Sequence, residues 1–227
     1  MSIGKFIVFE GIDGSGKTTV INELSRQLEA QCKSVIVMDS RNADSIIGKA
    51  IREWTDDKEE ISNHLQITTL YLSALIGVSN GSTAFHGIDA LRSKYDYILM
   101  DRWVYSTLVY GTIPIENSVS DVIENSMIHT IIETVQRSLA TPDIVYFMEI
   151  DPGLASERIN NRDGVLRDFF TIPEKQVIYS NKFRSLSTTE QSCVILNAKL
   201  PIQEIIDIVL NDITNDNNEE SSNVFSK

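Results

Sequence analysis

Five short runs of apolar residues recur along the chain, and each run is nearly continuous rather than alternating with polar residues. They cover residues 5–10, 34–39, 96–101, 143–151 and 192–197. Continuous apolar runs of this length are typical of parallel strands that are buried on both faces. The pattern therefore predicts five buried strands in one parallel sheet.

Between the predicted strands, apolar residues return with the spacing of an amphipathic helix. One such face combines Val20, Ile21, Leu24 and Leu28, a second combines Val122, Ile123, Ile131, Ile132 and Val135, and a third follows Pro201 and combines Ile205, Ile206, Val209 and Leu210. Strands that alternate with helices predict an α/β fold of three layers, in which helices flank a central parallel five-stranded sheet. We expect a single domain over residues 1–213 and an acidic, disordered tail over residues 214–227.

The composition of the chain limits the classes of partner that we expect this domain to bind. The 227 residues carry a formal net charge of −12, which disfavours non-specific binding to nucleic acids because such binding depends on lysine and arginine. No apolar run approaches the roughly 18 residues that span a membrane. The two cysteines, Cys32 and Cys193, lack the spacing of a metal site. We therefore expect a cytoplasmic protein that binds neither nucleic acids nor membranes.

One segment near the start of the chain has a spacing that indicates phosphate binding. The segment FIVFEGIDGSGKTT contains the pattern G-x-x-x-x-G-K-T, with Gly11, Gly16, Lys17 and Thr18 at the fixed positions. The glycines let the backbone turn its N–H groups towards a polyphosphate, and the helix that follows adds its positive end. In this pattern the lysine reaches the β- and γ-phosphates, and the threonine hydroxyl faces Mg²⁺.

Charged residues stand at the ends of the first four predicted strands. They are Glu10, then Asp39 and Arg41, then Asp101 and Arg102, then Glu149 and Asp151. Because ligands of such folds bind beyond the carboxyl ends of the strands, we expect these residues to converge near the glycine-rich loop. Asp101 closes an apolar strand, which is the position of the carboxylate that holds Mg²⁺ directly or through water in P-loop enzymes.

Together these motifs resemble those of thymidylate kinases, which are P-loop kinases that phosphorylate dTMP with ATP and Mg²⁺. FEGIDGSGKTT is similar to the first motif of that family, and DRWVYSTLVY (101–110) is similar to its second. DPGLASERINNRDGVLRD (151–168) resembles the start of the family's lid, which we expect over about residues 155–170. LNAKLPIQEI (196–205) resembles the segment that packs near adenine. The resemblance covers most of residues 5–210, and it implies the P-loop kinase fold with a small lid and a homodimer.

The resemblance implies where ATP and Mg²⁺ bind. The residues expected to contact ATP lie in the glycine-rich loop, at the start of the following helix and after the last strand: Gly11, Ile12, Asp13, Gly14, Ser15, Gly16, Lys17, Thr18, Thr19, Ala198 and Lys199. Thr18 and Asp101 are expected to hold Mg²⁺, and Asp101 can do so directly or through a water molecule. Lys17 is also a candidate catalytic residue.

The acceptor site implied by the resemblance uses Asp13, Arg41, Tyr71, Arg102, Ser106 and Tyr110. Arg41 and Arg102 stand at neighbouring strand ends, where two guanidinium groups can clamp the acceptor phosphate. The Pro-Gly-Gly that commonly follows the first of these arginines in the family is absent after Arg41. Tyr71 is expected to stack on a pyrimidine, Asp13 to contact the deoxyribose 3′-OH, and Tyr110 to favour deoxyribose.

Three arginines after the fourth predicted strand are further candidates for catalysis, together with Arg102. Arg158 and Arg162 are four residues apart and share a helix face, and Arg167 follows them. Members of the family carry a catalytic arginine either in the glycine-rich loop or in the lid. Because Gly14 occupies the loop position here, the resemblance implies a lid arginine, whose effect on rate can be about 10³–10⁵-fold.

Two positions depart from the family pattern. Leu75 stands where members carry an arginine that reads the base, and Gly111 stands where many carry a glutamine. The identity of the acceptor base therefore stays open, with dTMP first and other or broader deoxynucleoside monophosphates as the alternative.

Two other functions also stay open. A deoxynucleoside kinase, which acts on a 5′-OH, needs a carboxylate base, and Asp39 stands where such a base can lie. Asp13 and the adjacent arginines argue against that function. A guanine-specific switch protein needs the motif N-K-x-D, but Asn181-Lys182 is followed by Phe183-Arg184. We therefore expect an ATP-dependent deoxynucleoside monophosphate kinase.

Overall fold

The structure is a computed structural model, and it describes residues 3–41, 45–56, 64–81, 86–113, 117–163, 173–189 and 193–223. Within these residues a parallel five-stranded sheet has the strand order β2-β3-β1-β4-β5. The strands are β1 (Lys5–Glu10), β2 (Val35–Asp39), β3 (Tyr97–Asp101), β4 (Ile144–Glu149) and β5 (Cys193–Asn197). The five predicted strands and their parallel pairing are confirmed.

Helices cover the sheet on both sides. They are α1 (Lys17–Ala30), α2 (Ile46–Asp56), α3 (His64–Asn80), α4 (Ile88–Arg92), α5 (Val104–Gly111), α6 (Val119–Gln136), α7 (Pro152–Asp163), α8 (Pro173–Thr189) and α9 (Ile202–Asn223). The Tyr146 hydroxyl on β4 donates to Asp212 on α9, whereas the next residue, Phe147, packs against rings on α5 and α8. Because successive strand residues face opposite sides, α9 and the α5–α8 pair lie on opposite faces of the sheet. The predicted three-layer α/β fold is confirmed.

The central strand explains why the apolar runs are continuous. Residues Phe6, Ile7, Val8 and Phe9 of β1 are all fully buried, although they alternate between the two faces of the sheet. A strand covered on both faces has no solvent-facing side on which a polar residue would be favourable. The polar residue that follows this apolar run is Glu10, which lies at the end of the strand where the glycine-rich loop begins.

The apolar face predicted for α6 is wrong at its N-terminal end. Val122 and Ile123 are exposed, and the buried residues of the helix are Asn125, Ile128 and Ile132. The Asn125 side chain accepts a hydrogen bond from the Ile113 backbone N–H and donates to its carbonyl oxygen. Because these two bonds satisfy a buried amide, Asn125 holds the inner position and the two apolar residues turn outward.

Helix α9 continues through Asn223, into the segment for which the sequence predicts a disordered tail. Its docked face follows the predicted spacing, and Ile205, Ile206 and Val209 are buried. Ile213, the last residue of the expected domain, is also fully buried. Among the described residues, no helix is both long and apolar enough to cross a membrane.

Candidate active site

The glycine-rich loop, residues 11–16, joins the end of β1 to the start of α1. Gly11, Gly14 and Gly16 all have positive φ angles, of 138°, 79° and 92°. Residues that carry a side chain rarely adopt these backbone conformations, so the three glycines allow a turn in which other residues would be strained. The loop therefore has the backbone freedom to surround an anion at the N-terminus of α1.

Lys17 is buried at the base of this loop. Its ammonium group donates to the carbonyl oxygens of Gly11 and Ile12, both at 3.0 Å. Burial lowers the pKa of Lys17 to about 8, and the nearby charge of Arg102 acts in the same direction. The lysine is thus held beside the loop with a proton that is easier to lose than usual.

Thr18 and Asp101 meet at the end of β3, as the sequence predicts for a metal site. The Thr18 hydroxyl donates to Asp101 Oδ2 at 2.8 Å. The other carboxylate oxygen, Asp101 Oδ1, is buried and has no hydrogen-bond partner among the described residues. A hydroxyl beside a carboxylate oxygen without a partner suits Mg²⁺, which commonly takes few protein ligands and completes its shell with water and phosphate oxygens.

Arg102 follows β3 and reaches back to the glycine-rich loop. Its backbone has a φ of +69°, a left-handed conformation that is uncommon for residues other than glycine. One guanidinium nitrogen donates to the Gly11 carbonyl oxygen at 3.0 Å and to the Ser106 hydroxyl at 2.9 Å, and the other donates to Asp13. A strained residue at a strand end that is held by several partners is typical of a functional position.

Asp13 and Arg102 form an ion pair across the loop. Burial alone would raise the pKa of Asp13, but Arg102 first and Lys17 second hold it below its usual range. Arg162 adds to this effect. Asp13 is therefore ionised at neutral pH, and a cationic group from α7 lies within electrostatic reach of it.

Glu10 is fully buried and organises the start of α5. Its carboxylate accepts hydrogen bonds from the Trp103 and Ser106 backbone N–H groups, at 2.7 and 3.1 Å, and from the Ser106 hydroxyl. Burial raises the pKa of Glu10, although these bonds and the charge of Arg102 oppose the increase. The acid thus fixes Ser106, which in turn holds Arg102.

A cavity of about 560 Å³ opens between the loop, α3, α5 and α7. Residues from the glycine-rich loop, the ends of β2 and β3, and helices α3, α5 and α7 line it: Asp13, Gly14, Gly16, Lys17, Thr18, Thr19, Asp39, Ser40, Arg41, Ile67, Tyr71, Asp101, Arg102, Ser106, Thr107, Tyr110, Gly111, Arg158, Ile159 and Arg162. The cavity brings the six predicted acceptor residues together. Their individual roles stay predictions.

The two neighbouring strand ends are paired, since Asp39 on β2 lies opposite Asp101 on β3. Asp39 Oδ1 accepts a hydrogen bond from the Arg41 backbone N–H at 2.7 Å and lies 3.6 Å from the Arg41 side chain. One carboxylate oxygen of Asp39 is therefore already engaged by Arg41, whereas the base of a deoxynucleoside kinase has to reach the substrate hydroxyl.

Tyr110 forms part of an aromatic cluster beneath Arg102. The guanidinium carbon lies 5.2 Å from the centre of the Tyr110 ring, which contacts Tyr179 and Phe183 of α8 edge-on. Burial raises the pKa of Tyr110, so its hydroxyl stays protonated. The ring is thus fixed at the cavity wall.

Helix α7 carries two of the three predicted lid arginines into the cavity. Arg158 donates to the Ala198 carbonyl oxygen at 3.2 Å and lies close to Gly16, and Arg162 is one turn further along. Arg167 lies outside the described residues. Asp151, which we expected at the site, instead accepts hydrogen bonds from the Gly153 and Leu154 backbone N–H groups and so begins α7.

The turn after β5 lies beside this helix rather than in the cavity wall. Ala198 is buried and bonded to Arg158, and the Lys199 backbone N–H donates to the Asn197 side chain. Glu149, the other strand-end acid, pairs with Arg184 of α8. Ala198 and Lys199 are thus placed on the α7 side, and Glu149 has a structural partner.

The two departures from the family pattern have structural counterparts. Leu75 is fully buried in the core and does not line the cavity. Gly111 lines the cavity, and a Cβ atom at this position would overlap the hydroxyl of Thr68. That hydroxyl donates to the Gly111 carbonyl oxygen at 3.1 Å, so α3 and α5 touch directly here.

Sequence reasoning missed four residues of the cavity: Ser40, Ile67, Thr107 and Ile159. Ile67 is one helical turn before Tyr71, and Thr107 is one turn before Gly111. The signal that could have identified Ile67 and Thr107 is the helical repeat of α3 and α5, which places residues four apart on the same face.

Comparisons with known proteins agree with this geometry. The family model for thymidylate kinase matches residues 9–209. A probable thymidylate kinase from Methanocaldococcus jannaschii is 30% identical over 200 residues, covering 88% of this chain and 90% of its own, and the thymidylate kinase of Leptospira interrogans is 29% identical over 77% and 78%. The structure of thymidylate kinase from Candida albicans shares the fold with a TM-score of 0.72 at 19% identity, covering 95% of this chain and 93% of its own. The chain belongs to the thymidylate kinase family, and it is a phosphotransferase.

Proposed function

We propose that the protein transfers the γ-phosphoryl group of ATP to dTMP and so forms dTDP and ADP. One observation carries this proposal: Lys17 and Arg102 both donate to the Gly11 carbonyl oxygen at 3.0 Å. One cation belongs to the loop that would hold the donor, and the other lies at the strand end where the acceptor phosphate would lie. Two phosphates that repel each other in water can thus be held together by two convergent cations.

The donor site is proposed to consist of the glycine-rich loop and α7. Backbone N–H groups of residues 11–16 and the N-terminus of α1 would bind the polyphosphate, and Lys17 would leave its carbonyl partners for the phosphate oxygens. Arg158 is placed between Gly16 and Ala198, so we assign it to holding the ATP molecule. Arg162 faces the acidic side of the loop at Asp13, so we assign it to the transferring group.

The acceptor site is proposed to consist of Arg41, Arg102 and the residues of α3 and α5 that line the cavity. Arg102 would exchange part of its contact with Asp13 for the acceptor phosphate, and Asp13 would then be free to accept a bond from the 3′-OH. Tyr71 would stack on the base. Tyr110 would close the space beside the sugar.

The transfer itself needs little acid–base chemistry. The attacking oxygen of a monophosphate is already anionic, so the protein has to position the two groups and neutralise charge. Thr18 and Asp101 would hold Mg²⁺, which supplies positive charge to the donor phosphates. Lys17, Arg102 and Arg162 would surround the phosphoryl group as negative charge builds on its oxygens.

We further propose that the domain of residues 1–213 acts as a homodimer in the cytoplasm, on small nucleotides rather than nucleic acids. An apolar patch on α6, formed by Val119, Val122, Ile123 and Met127, supports the dimer because each of these side chains is about half exposed or more. Free thiols at Cys32 and Cys193 are compatible with a reducing compartment.

The experiment that tests the proposal is a coupled assay of ADP release with ATP, Mg²⁺ and dTMP. We expect release that depends on dTMP, and formation of dTDP by chromatography. Lys17→Ala should abolish both the ADP release and the formation of dTDP, whereas the exposed-site control Arg26→Ala should keep them. ADP release that is unchanged when dTMP is omitted would contradict the proposal.

A further inference from the structure

One residue of the cavity wall carries a hydroxyl group without a hydrogen-bond partner in the described part of the chain. Thr107 on α5 is 5% exposed and lines the cavity, and its side chain makes no hydrogen bond with another described residue. The hydroxyls of Thr130, Thr134 and Thr214, in contrast, donate to the carbonyl one turn earlier in their own helices, at 2.7 to 2.9 Å. A helical threonine that forgoes this bond inside a cavity is available to a ligand.

Thr107 lies on a part of the cavity wall that consists of uncharged side chains. We call this part the base end; it is formed by Ile67, Tyr71, Thr107, Tyr110 and Gly111. Helix α5 leads from Arg102 and Ser106 at the phosphate side towards Gly111, at about 1.5 Å per residue. A nucleotide whose phosphate lies at Arg102 would therefore place its base along these uncharged side chains.

The base end cannot gain another polar side chain from α5 or from the next turn of α3. The backbone of Gly111 is in contact with the Thr68 hydroxyl, which already donates to the Gly111 carbonyl oxygen. Leu75 is fully buried in the core. Apart from the two tyrosine rings, Thr107 is therefore the polar side chain that the described residues offer to a base.

We propose that Thr107 reads the hydrogen-bonding edge of the base, and that the acceptor site takes both 4-keto and 4-amino pyrimidines: dTMP, dUMP and dCMP. The inference rests on the proposed function. Thymine and uracil present an N3–H donor and an O4 acceptor, and cytosine presents an N3 acceptor and an amino donor. A hydroxyl both donates and accepts, so rotation of Thr107 satisfies either edge. A guanidinium group, which only donates, would favour the keto bases.

The first test compares kcat/KM of the wild-type enzyme for dTMP, dUMP and dCMP under one ATP concentration. We expect the value for dCMP to lie within about tenfold of that for dTMP, because the same hydroxyl serves both edges. A preference for dTMP over dCMP greater than about 1,000-fold would overturn the inference but leave the proposed function intact. No turnover with any of the three would overturn both.

The second test removes the hydroxyl and keeps the shape of the side chain. Thr107→Val should raise the KM for dTMP and for dCMP by about 3- to 15-fold each, since a neutral hydrogen bond is lost, and should leave the KM for ATP unchanged. Thr107→Ser, which retains the hydroxyl, should restore both values, and Thr134→Val on α6 should behave as the wild type. An unchanged KM for both acceptors in Thr107→Val, or a change for only one of them, would overturn the inference.

Discussion

Gly14 of the glycine-rich loop and Ala155 of α7 are in direct backbone contact. A Cβ atom at residue 14 would overlap the carbonyl oxygen of Ala155, and Gly14 also has a positive φ of 79°. The helix that carries Arg158 and Arg162 therefore rests on the loop itself. This contact gives a physical reason why the cation of the proposed site comes from α7, because an arginine at residue 14 would displace the helix.

Gly14→Ala should test this contact. We expect the substitution to destabilise the protein by about 1–3 kcal/mol, because of strain at a positive φ. We expect kcat to fall by about 10²-fold, because α7 moves away from the loop. Steady-state kinetics and urea unfolding measure the two effects.

The matched control is Gly77→Ala on α3, where, among the described residues and apart from the neighbouring backbone of the helix itself, no atom lies within 4 Å of the added Cβ. It should leave kcat unchanged and stabilise the protein by about 0.5–1 kcal/mol. A Gly14→Ala enzyme with wild-type kcat would show that the position of α7 does not depend on this contact.

Arg102→Ala should remove the proposed grip on the acceptor phosphate. We expect kcat/KM for dTMP to fall by about 10³-fold or more, with a higher KM for dTMP and a nearly constant KM for ATP. Arg102→Lys should recover little of the loss, because an ammonium group cannot replace a planar fork that contacts Gly11, Ser106 and Asp13 at once. Unchanged KM and kcat for dTMP in Arg102→Ala would remove this residue from the site.

ATP binding should weaken in alkaline solution because of Lys17. Its pKa of about 8 in the free protein means that the lysine loses its proton above that pH. A bound polyphosphate favours the protonated form, so the pKa is higher in the complex, and binding above pH 8 requires uptake of a proton. We expect the affinity to be steady near pH 7.5 and to fall by up to tenfold per pH unit above pH 8.

Calorimetric titrations with ATP and Mg²⁺ in buffers from about pH 7.5 to about pH 9.5 measure this dependence. Lys17→Arg keeps its charge over the whole range, so its affinity, however weak, should not show the break. An affinity of the wild type that is constant to pH 9.5 would contradict the shift in the pKa of Lys17.

Glu10 should make stability fall as the pH rises. Burial raises its pKa above the ordinary value of 4.5, so the folded state binds more protons than the unfolded state between 4.5 and the raised value. Stability that protonated Glu10 contributes is present below about pH 4.5 and is lost as the pH rises through the raised pKa. Glu10→Gln has no such titration.

Urea unfolding of both proteins between about pH 4 and pH 7 tests this expectation. The free energy of unfolding of the wild type, minus that of Glu10→Gln, should decrease over the range. A constant or increasing difference would contradict the direction of the shift. Catalysis by Glu10→Gln should also be reduced, because the carboxylate holds Ser106 and the first turn of α5.

Ile123→Asp should separate the proposed dimer. A charge placed in the apolar patch on α6 would be desolvated at an interface, so we expect a monomer by sedimentation at micromolar concentration. Val177→Asp on α8 is the control, since Val177 is similarly exposed at 49% but lies outside the patch. An Ile123→Asp protein with the same mass in solution as the wild type would remove the patch from the proposed interface.

The sheet could be predicted from the sequence because the burial of each strand determines the residue types within that strand. A strand buried on both faces needs a continuous apolar run, and Phe6, Ile7, Val8 and Phe9 provide one. The glycine-rich loop was equally local, since its function depends on residue types at fixed spacing. Arg102 and Asp101 followed from the rule that ligands bind beyond the carboxyl ends of strands.

The rest depended on contacts between elements that are distant in the sequence. The helical period of α6 allowed two buried faces, and the hydrogen bonds of Asn125 with Ile113 decided between them. The helical repeat could place Thr107 on the same face as Gly111, but only the structure shows that its hydroxyl has no partner among the described residues. The close approach of Gly111 to Thr68 likewise depends on how α3 meets α5.

The position of β1 in the middle of the sheet has a consequence for how accurately two substrates can be aligned. Strand β3, which precedes Arg102, borders β1 on one side, and β4, which precedes α7, borders it on the other. Both halves of the proposed reaction centre are therefore positioned against the same buried strand. A single strand pairing separates each half from β1, so a shift of one flanking strand would move one of the two proposed nucleotide sites and leave the other in place.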